Sequence, residues 1–396
     1  MRKQTPDETG THAPDPERPP VPGDEDVTRD GQTPPEPPRR IPSAWRRLGA
    51  KAAYFLPALF LLVLSIELMK TGAQAIAPRL QGTFPVDNMV STLGLGWLGA
   101  YLVLSGSPVA AASLALFAAG ALSRAQTFTM LTGSRLGASF IVLLVGFIYA
   151  MRQRNRQRRQ ESIGMGVLAL SLTAIVYVPG MILAYALLKS GAFDGVSWQA
   201  SAGMRGAIDL AWGPIVNLAG EIVPGPLLFP LGLAVILGSF KLLDRVLPSL
   251  DGERHAHERG HWLKHPWAMF GLGMLAALLT LSVSVALTIL VPLASKGIIE
   301  RREAIPYIMG ANITTLADTL VAAMLLGNPI GVQVVLTEAI GVAIITLILL
   351  AFLYRPLQRL VMALDEWIVA TTPRLVLFVA ALFVMPIGLM FSGRLL

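Results

Sequence analysis

The sequence contains no cysteine and few charged residues. The absence of cysteine from all 396 residues excludes disulfides, thiolate metal sites and cysteine nucleophiles, and five scattered histidines leave little for a metal cluster. Only 14% of the residues are charged, whereas 54% are hydrophobic. A soluble domain does not need so apolar a composition, so we expect a lipid bilayer to surround most of the chain.

Long apolar runs support this expectation, because a membrane helix needs roughly 20 mostly apolar residues. The sequence predicts an all-α polytopic membrane protein with about seven full spans. The predicted spans are residues 53–76, 126–150, 163–188, 227–247, 303–325, 330–354 and 373–391.

Residues 1–45 have a different composition. They hold 11 of the 28 prolines, many acidic residues and few large apolar ones. Such a segment cannot bury enough apolar surface to offset its chain entropy, and it lacks the apolar core of a signal peptide. It is predicted to be a disordered, Pro-rich cytoplasmic tail, either a solvated tether or a segment that binds a partner.

Two further apolar stretches, 89–122 and 267–299, are interrupted near their middles by small and polar residues. The interruptions are Ser105 to Pro108 and Ser282 to Ser284. Each half has only about 15 residues, which is too short for a full crossing. Irregular backbone at membrane depth is tolerated where it is buried in protein or lines a cavity, so each stretch is predicted to form a re-entrant helical hairpin.

The basic residues give an orientation. Lysine and arginine accumulate in cytoplasmic loops, and the segment 152–159 alone carries five arginines. The net charge of +7 is therefore read as a topology signal and not as a nucleic-acid binding surface. The protein is predicted to be a multi-pass protein of the plasma membrane with a cytoplasmic N-terminus.

The sequence contains an internal repeat. When Gly94 is placed on Gly271, the segment Gly94 to Ser107 aligns with Gly271 to Ser284, and nine of these fourteen positions are identical. We call this alignment the repeat register. An odd number of crossings separates the two hairpins, so the repeats have inverted topology. The predicted units are a first transmembrane repeat at 51–188, a connecting loop at 189–226, a second repeat at 227–354, and an amphipathic segment with the final span at 355–396.

Inverted repeats with broken helices are the architecture of many secondary transporters, which bind substrate near the midplane. Free N–H groups and the dipole of a half-helix N-terminus suit a small anion. The hairpin serines are therefore the first candidates for the site: Ser105, Ser107, Ser282 and Ser284. Their alternative role is close helix packing by small residues.

A polar stretch from Gly310 to Thr315 follows the second hairpin, and it makes Asn312, Thr314 and Thr315 candidates for substrate binding. Arg135 is the counterpart of Asn312 in the first repeat. Charge at that depth is costly and usually functional. Arg135 could bind a phosphate in a bidentate fork, replace a movable cation, or form a structural ion pair with Asp318.

A coupling cation would need oxygen ligands or an ionisable group. Asp318 could carry a proton or ligate sodium, and Thr288 and Ser134 could supply hydroxyl oxygens. Glu338 and Glu67 also lie in apolar runs and are weaker candidates.

The serines, the later glycines and Gly310-Ala311-Asn312-Ile313-Thr314-Thr315 make the chain resemble the type II sodium-phosphate cotransporter family. That family carries a Gln-Ser-Ser-Ser stretch and then Gly-Ala-Asn-Ile-Gly-Thr-Thr. The chain departs from the pattern, since Leu104 and Leu281 stand in place of the glutamine and Arg135 in place of the first asparagine.

The resemblance implies sodium-driven symport of inorganic phosphate, with the serines and the asparagine motif forming the binding region. It implies no enzyme activity and no cofactor, with sodium as the candidate coupling ion. The expected partners are phosphate or a similar small anion, sodium and the lipid bilayer, and no nucleic acid. Two alternatives stay open: a transporter of another small anion with altered cation coupling, and a membrane scaffold or regulator that no longer transports.

Overall fold

The computed structural model describes residues 44–80, 88–246, 265–280 and 282–392, and the regular elements in these ranges are helices. The chain divides into two units, Met1–Arg47 and Leu48–Leu396. All but the last two residues of the predicted tail, residues 1–45, lie outside the described ranges.

The described residues form sixteen α-helices. In chain order they are α1 Ala44–Leu80, α2 Met89–Val103, α3 Gly106–Ala118, α4 Arg124–Ala138, α5 Phe140–Arg152, α6 Arg156–Ser190, α7 Ala202–Ile222, α8 Leu228–Val246, α9 Pro266–Thr280, α10 Val283–Thr288, α11 Leu290–Ser295, α12 Arg301–Thr314, α13 Leu316–Leu325, α14 Pro329–Ala351, α15 Tyr354–Val369 and α16 Thr372–Phe391. A short 3₁₀ turn, Gly225–Leu227, precedes α8.

Among the described residues, seven helical stretches are long and apolar enough to cross a membrane, which confirms the predicted number of spans. Two of them consist of two helices each, α4 with α5 and α12 with α13. The seven stretches are Ala53–Pro78, Arg124–Arg152, Arg156–Ser190, Gly225–Leu242, Arg301–Leu325, Pro329–Ala351 and Thr372–Phe391.

Two broken segments lie where the interrupted stretches were predicted. The first broken segment is α2 and α3, and the second is α9, α10 and α11. The first break is at Leu104, which has a left-handed φ of 56° and is the only non-glycine residue with positive φ in the described ranges. A bulky side chain rarely adopts this conformation, and the turn is held by the Ser105 N–H, which donates to the main-chain oxygen of Ala100 at 3.1 Å. The re-entrant placement of both segments in a membrane stays a prediction.

The helices on both sides of each break begin at equivalent positions in the repeat register. Helix α2 begins at Met89 and α9 at Pro266, while α3 begins at Gly106 and α10 at Val283. The following helices also begin in the same manner. The main-chain N–H of Ser123 donates to Gln126 Oε1 at 2.8 Å before α4, and that of Glu300 donates to Glu303 Oε2 at 3.0 Å before α12. Each contact satisfies a free donor at a helix start.

Helix packing follows the repeat register as well. A Cβ added to Gly96 would lie 2.0 Å from the main-chain oxygen of Met130, and one added to Gly273 would lie 2.0 Å from that of Tyr307. Only glycine allows the backbones to approach so closely. These contacts pack α2 on α4 and α9 on α12 at equivalent positions.

The prediction of a connecting loop at 189–226 is wrong for residues 202–222, because Ala202–Ile222 forms α7. Glycine and proline suggested a loop, but the Ser201 side chain caps the helix and Pro214 lies inside it. Trp212 Nε1 donates to the main-chain oxygen of Phe60 at 3.0 Å, so α7 packs along α1. Tertiary contact has overridden local helix propensity here.

Near the C-terminus, α15 is amphipathic and buries one stripe of residues at helical spacing: Leu357, Val361, Asp365 and Ile368. The largest hydrophobic core contains residues from α2, α4, α6, the second broken segment, α12 and α15. It includes Tyr101 and Val283, which lie beside the two breaks.

Candidate functional site

Arg135 is the most deeply buried cation of the described chain. It lies in the last turn of α4 and is only 2% exposed. Its Nη1 donates to Thr315 Oγ1 at 3.1 Å and to Ser107 Oγ at 3.4 Å, and its Nη2 donates to Thr319 Oγ1. Burying a guanidinium is expensive unless it is paired and hydrogen-bonded, and these hydroxyls supply part of that compensation.

Asp318, at the start of α13, supplies the opposite charge. Arg135 Nη2 lies 3.5 Å from Asp318 Oδ1, and the two side chains are 1% and 7% exposed. The contact uses one carboxylate oxygen only. Arg135 and Asp318 therefore form the ion pair that was predicted as one role of Arg135. One polar atom of each side chain, Arg135 Nε and Asp318 Oδ2, has no hydrogen-bond partner among the described atoms.

Glu338 on α14 belongs to the same group of charges. Its side chain is fully buried, and neither carboxylate oxygen has a hydrogen-bond partner among the described atoms. Arg135 is the cation that interacts with it. The sequence interpretation ranked Glu338 below Asp318. A stronger signal was available, because Glu161-Ser162-Ile163-Gly164 matches Glu338-Ala339-Ile340-Gly341 in the repeat register.

Asn312 is in a different hydrogen-bond network, on the side of α12 that faces α6. Its Nδ2 donates to Thr173 Oγ1 at 3.1 Å, and the Thr173 hydroxyl lies 2.8 Å from that of Ser139. Tyr177 donates to the main-chain oxygen of Asn312 at 2.8 Å. Asn312 and its repeat counterpart Arg135 thus contact different partners.

The predicted serines divide into two kinds. Ser107 and Ser284 both reach the end of α4, since Ser107 accepts from Arg135 and Ser284 Oγ donates to the main-chain oxygen of Ala138 at 3.4 Å. Ser282 caps α10 by accepting from the Val285 N–H at 3.3 Å. Ser105 is the N-cap residue of α3 without a side-chain cap bond. The two breaks therefore meet at one turn of α4.

Three other predicted residues bond to main-chain oxygens. Thr314 donates to Met274 at 3.2 Å, across to α9. Ser134 donates to Leu131 and Thr288 to Ser284, both within their own helices. The assignment of Ser134 and Thr288 to a coupling ion stays a prediction.

A second ionic cluster lies around Arg301, at the start of α12. Its Nε lies 3.0 Å from Glu161 Oε2, and its Nη1 pairs with the fully buried Asp365. Burial raises the pKa of Asp365 to about 7, and the nearby Arg301 opposes this only in part. A cavity of about 590 Å³ adjoins Glu161 and Arg301 and is also lined by Arg158. Arg158 and Arg301 thus line the same cavity.

The C-terminal part of the chain matches a known protein family. Residues 235–393 match the model of the Na⁺/Pi-cotransporter family. A comparison with curated proteins and one with solved structures found no match. The matched range contains the second broken segment, Asn312, Asp318 and Glu338, whereas Arg135 precedes it. Residues 235–393 are therefore similar to the Na⁺/Pi-cotransporter family, which confirms the resemblance predicted from the second repeat.

Proposed function

We propose that this chain is a secondary active transporter that carries inorganic phosphate across the plasma membrane by sodium-coupled symport. The observation that carries the proposal is the buried Arg135 guanidinium, which contacts hydroxyls from Ser107, Thr315 and Thr319 and only one oxygen of Asp318. The family match supports a role in sodium and phosphate transport.

Arg135 suits phosphate because its planar fork can donate two parallel hydrogen bonds to two phosphate oxygens. In the present arrangement Asp318 Oδ1 accepts from one of these donors, Arg135 Nη2. Phosphate would compete with Asp318 for Arg135, and the hydroxyls of Ser107 and Thr315 would turn toward its remaining oxygens. The start of α3, with Ser107 in its first turn, adds partial positive charge.

Sodium would use oxygen ligands on the same polar surface. Once phosphate holds Arg135, both carboxylate oxygens of Asp318 become available to a cation. Arg135 stands where the second repeat has Asn312, so it supplies a fixed positive charge in the first repeat. The chain would then need fewer mobile cations than a carrier with an asparagine in both repeats.

Both breaks contact α4, so a movement of either broken segment against α4 would change access to Arg135. Alternating access then follows if one broken segment opens toward one side of the membrane while the other closes. The protein would lie in the membrane as a multi-pass protein with its N-terminus in the cytoplasm.

A second candidate function is favoured by the Arg135–Asp318 pair itself. An ion pair that never opens would be a structural element of a scaffold or regulator that does not transport. A carrier of another small anion is the third candidate, since a guanidinium fork also fits sulfate and carboxylates.

The test is uptake of radiolabelled phosphate into proteoliposomes with and without an inward sodium gradient, with sulfate as competitor. Arg135→Gln should reduce uptake at least tenfold, about the effect of losing a charge-assisted hydrogen bond. Arg124→Gln is the matched control, because Arg124 lies on the same helix and pairs with the exposed Asp194. Absence of saturable phosphate uptake under every cation gradient would rule out the transporter, and preferred uptake of sulfate would support the third candidate.

A further inference from the structure

Glu338 is an isolated carboxylate inside an apolar helix. It lies in α14, which is one of the seven candidate spans, and its side chain is fully buried. Neither of its oxygens accepts a hydrogen bond from a described atom. An ionised carboxylate in such surroundings costs several kcal/mol, so the site favours the neutral, protonated acid.

The polar groups around Glu338 come from two neighbouring helices. Helix α4 presents Arg135 together with the hydroxyl of Thr132, and α6 presents Tyr177. Asp318 on α13 faces the same Arg135 and Tyr177. Among the described residues of α3, α12 and α15, which also pack on α14, no titratable side chain interacts with Glu338. One arginine thus faces two carboxylates and bonds to only one of them.

The two carboxylates differ in their hydrogen-bond donors. Asp318 Oδ1 accepts from Arg135 at 3.5 Å and from Thr319 Oγ1 at 2.9 Å. Neither oxygen of Glu338 has a partner among the described atoms, and the nearby Thr132 hydroxyl donates to the main-chain oxygen of Phe128 at 3.0 Å instead. One guanidinium cannot neutralise two ionised carboxylates, so a proton on Glu338 lowers the cost of burying this group.

The internal repeat offers a comparison within the chain. Glu161 is the counterpart of Glu338 in the repeat register. It pairs with Arg301 at 3.0 Å, and its side chain is 32% exposed. Both repeats therefore keep a glutamate at this position, but only Glu338 is buried without a bonding partner.

We propose that Glu338 is a proton-binding site that couples phosphate movement to proton movement, in addition to sodium. This inference rests on the proposed function. A phosphate anion bound to Arg135 would repel an ionised Glu338. It would also neutralise the arginine charge that otherwise stabilises the Glu338 carboxylate. Phosphate and the proton therefore promote each other's binding, which is the linkage that symport requires. The proton comes from water on one side, forms an O–H bond on Glu338 and is released on the other side with phosphate.

The transport experiment uses the full chain in proteoliposomes that enclose a pH-sensitive dye, with sodium at the same concentration on both sides. An inward proton gradient should raise phosphate uptake, and added phosphate should acidify the interior. Glu338→Gln should keep the exchange of phosphate between equal phosphate concentrations on the two sides. The same variant should reduce the uptake that the proton gradient drives at least tenfold. Glu67→Gln, whose glutamate pairs with Lys70 on α1, should behave like the unaltered chain. Unchanged gradient dependence in Glu338→Gln would overturn the proposal.

Infrared spectroscopy separates this proposal from the proposed function. The experiment uses Asp365→Asn as its background, because the raised pKa of the buried Asp365 would add a second acid band near neutral pH. At neutral pH this background should show the carbonyl stretch of a protonated carboxylic acid, which a further Glu338→Gln change should remove and a further Glu67→Gln change should keep. If the band is present but no phosphate enters the vesicles, the proton site stands and the transport function fails. If the band is absent at neutral pH, the proton site fails. Should Glu338→Gln not fold, loss of the band from the Asp365→Asn background on raising the pH would support the proposal, and its persistence would contradict it.

Discussion

The hydroxyl of Tyr177 on α6 donates a 2.8 Å hydrogen bond to the main-chain oxygen of Asn312, in the last turn of α12. Main-chain oxygens in the last turn of a helix lack helical donors, so a side chain from another helix stabilises this end. Both residues are almost fully buried. The contact fixes the position of the asparagine motif against α6.

Tyr177→Phe should lower the free energy of unfolding by about 1 kcal/mol, because it leaves a buried carbonyl with one partner fewer. Thermal unfolding in detergent measures the change. Tyr185→Phe, on the same helix, is the control and should unfold at an unchanged temperature. Equal behaviour of the two variants would contradict the assigned role of the Tyr177 hydroxyl.

Gly273→Ala should destabilise the protein by about 1–3 kcal/mol, as overpacking does. The added Cβ would lie 2.0 Å from the main-chain oxygen of Tyr307, and a backbone atom cannot move away without shifting α12. Gly271→Ala on the same helix is the control, because its Cβ would meet nothing within 4 Å. That control should be neutral or slightly stabilising, since alanine favours a helix more than glycine does.

Asp318→Asn should lower stability by about 3–5 kcal/mol, because it leaves the Arg135 charge buried without its partner. The same variant should bind phosphate more tightly, since the competing carboxylate is gone. Asp194→Asn breaks an exposed pair with Arg124 and should cost at most about 1 kcal/mol. Thermal unfolding with increasing phosphate measures both effects. Loss of stability without any gain in phosphate affinity would favour the structural role of the pair.

Asp365 should make stability depend on pH. Its folded pKa is raised to about 7 by burial, so between about pH 4 and 7 the folded state binds a proton that the unfolded state releases. The free energy of unfolding should therefore fall as the pH rises from about 4 to 7. Above about pH 7, Asp365 should no longer change it. Asp365→Asn should flatten the dependence, whereas Glu366→Gln, at an exposed neighbour, should not. Unfolding temperatures between pH 5 and 8 provide the measurement.

Many residues of the candidate site could be predicted from the sequence, because they lie at equivalent positions of the internal repeat. The repeat register aligned the two breaks, the glycines and the Arg135–Asn312 pair, and polar residues in apolar runs are rare enough to stand out. The sequence ranked Glu338 as a weaker candidate, because apolar neighbours alone do not distinguish it from other acidic residues in membrane helices. Its full burial without a hydrogen-bond donor appears only in the folded chain.

Composition and periodicity were enough to predict the helical class, the number of candidate spans and the positions of both breaks. The resemblance of the second repeat to a transporter family rested on the motif from Gly310 to Thr315. These features are local, and a single chain displays them directly. The folded chain was needed to show that 202–222 is helical, that Ser107 and Ser284 meet at α4, and that Arg135 pairs with Asp318 while Asn312 bonds to Thr173. Such choices depend on which helices pack together, and helix packing joins residues far apart in the sequence.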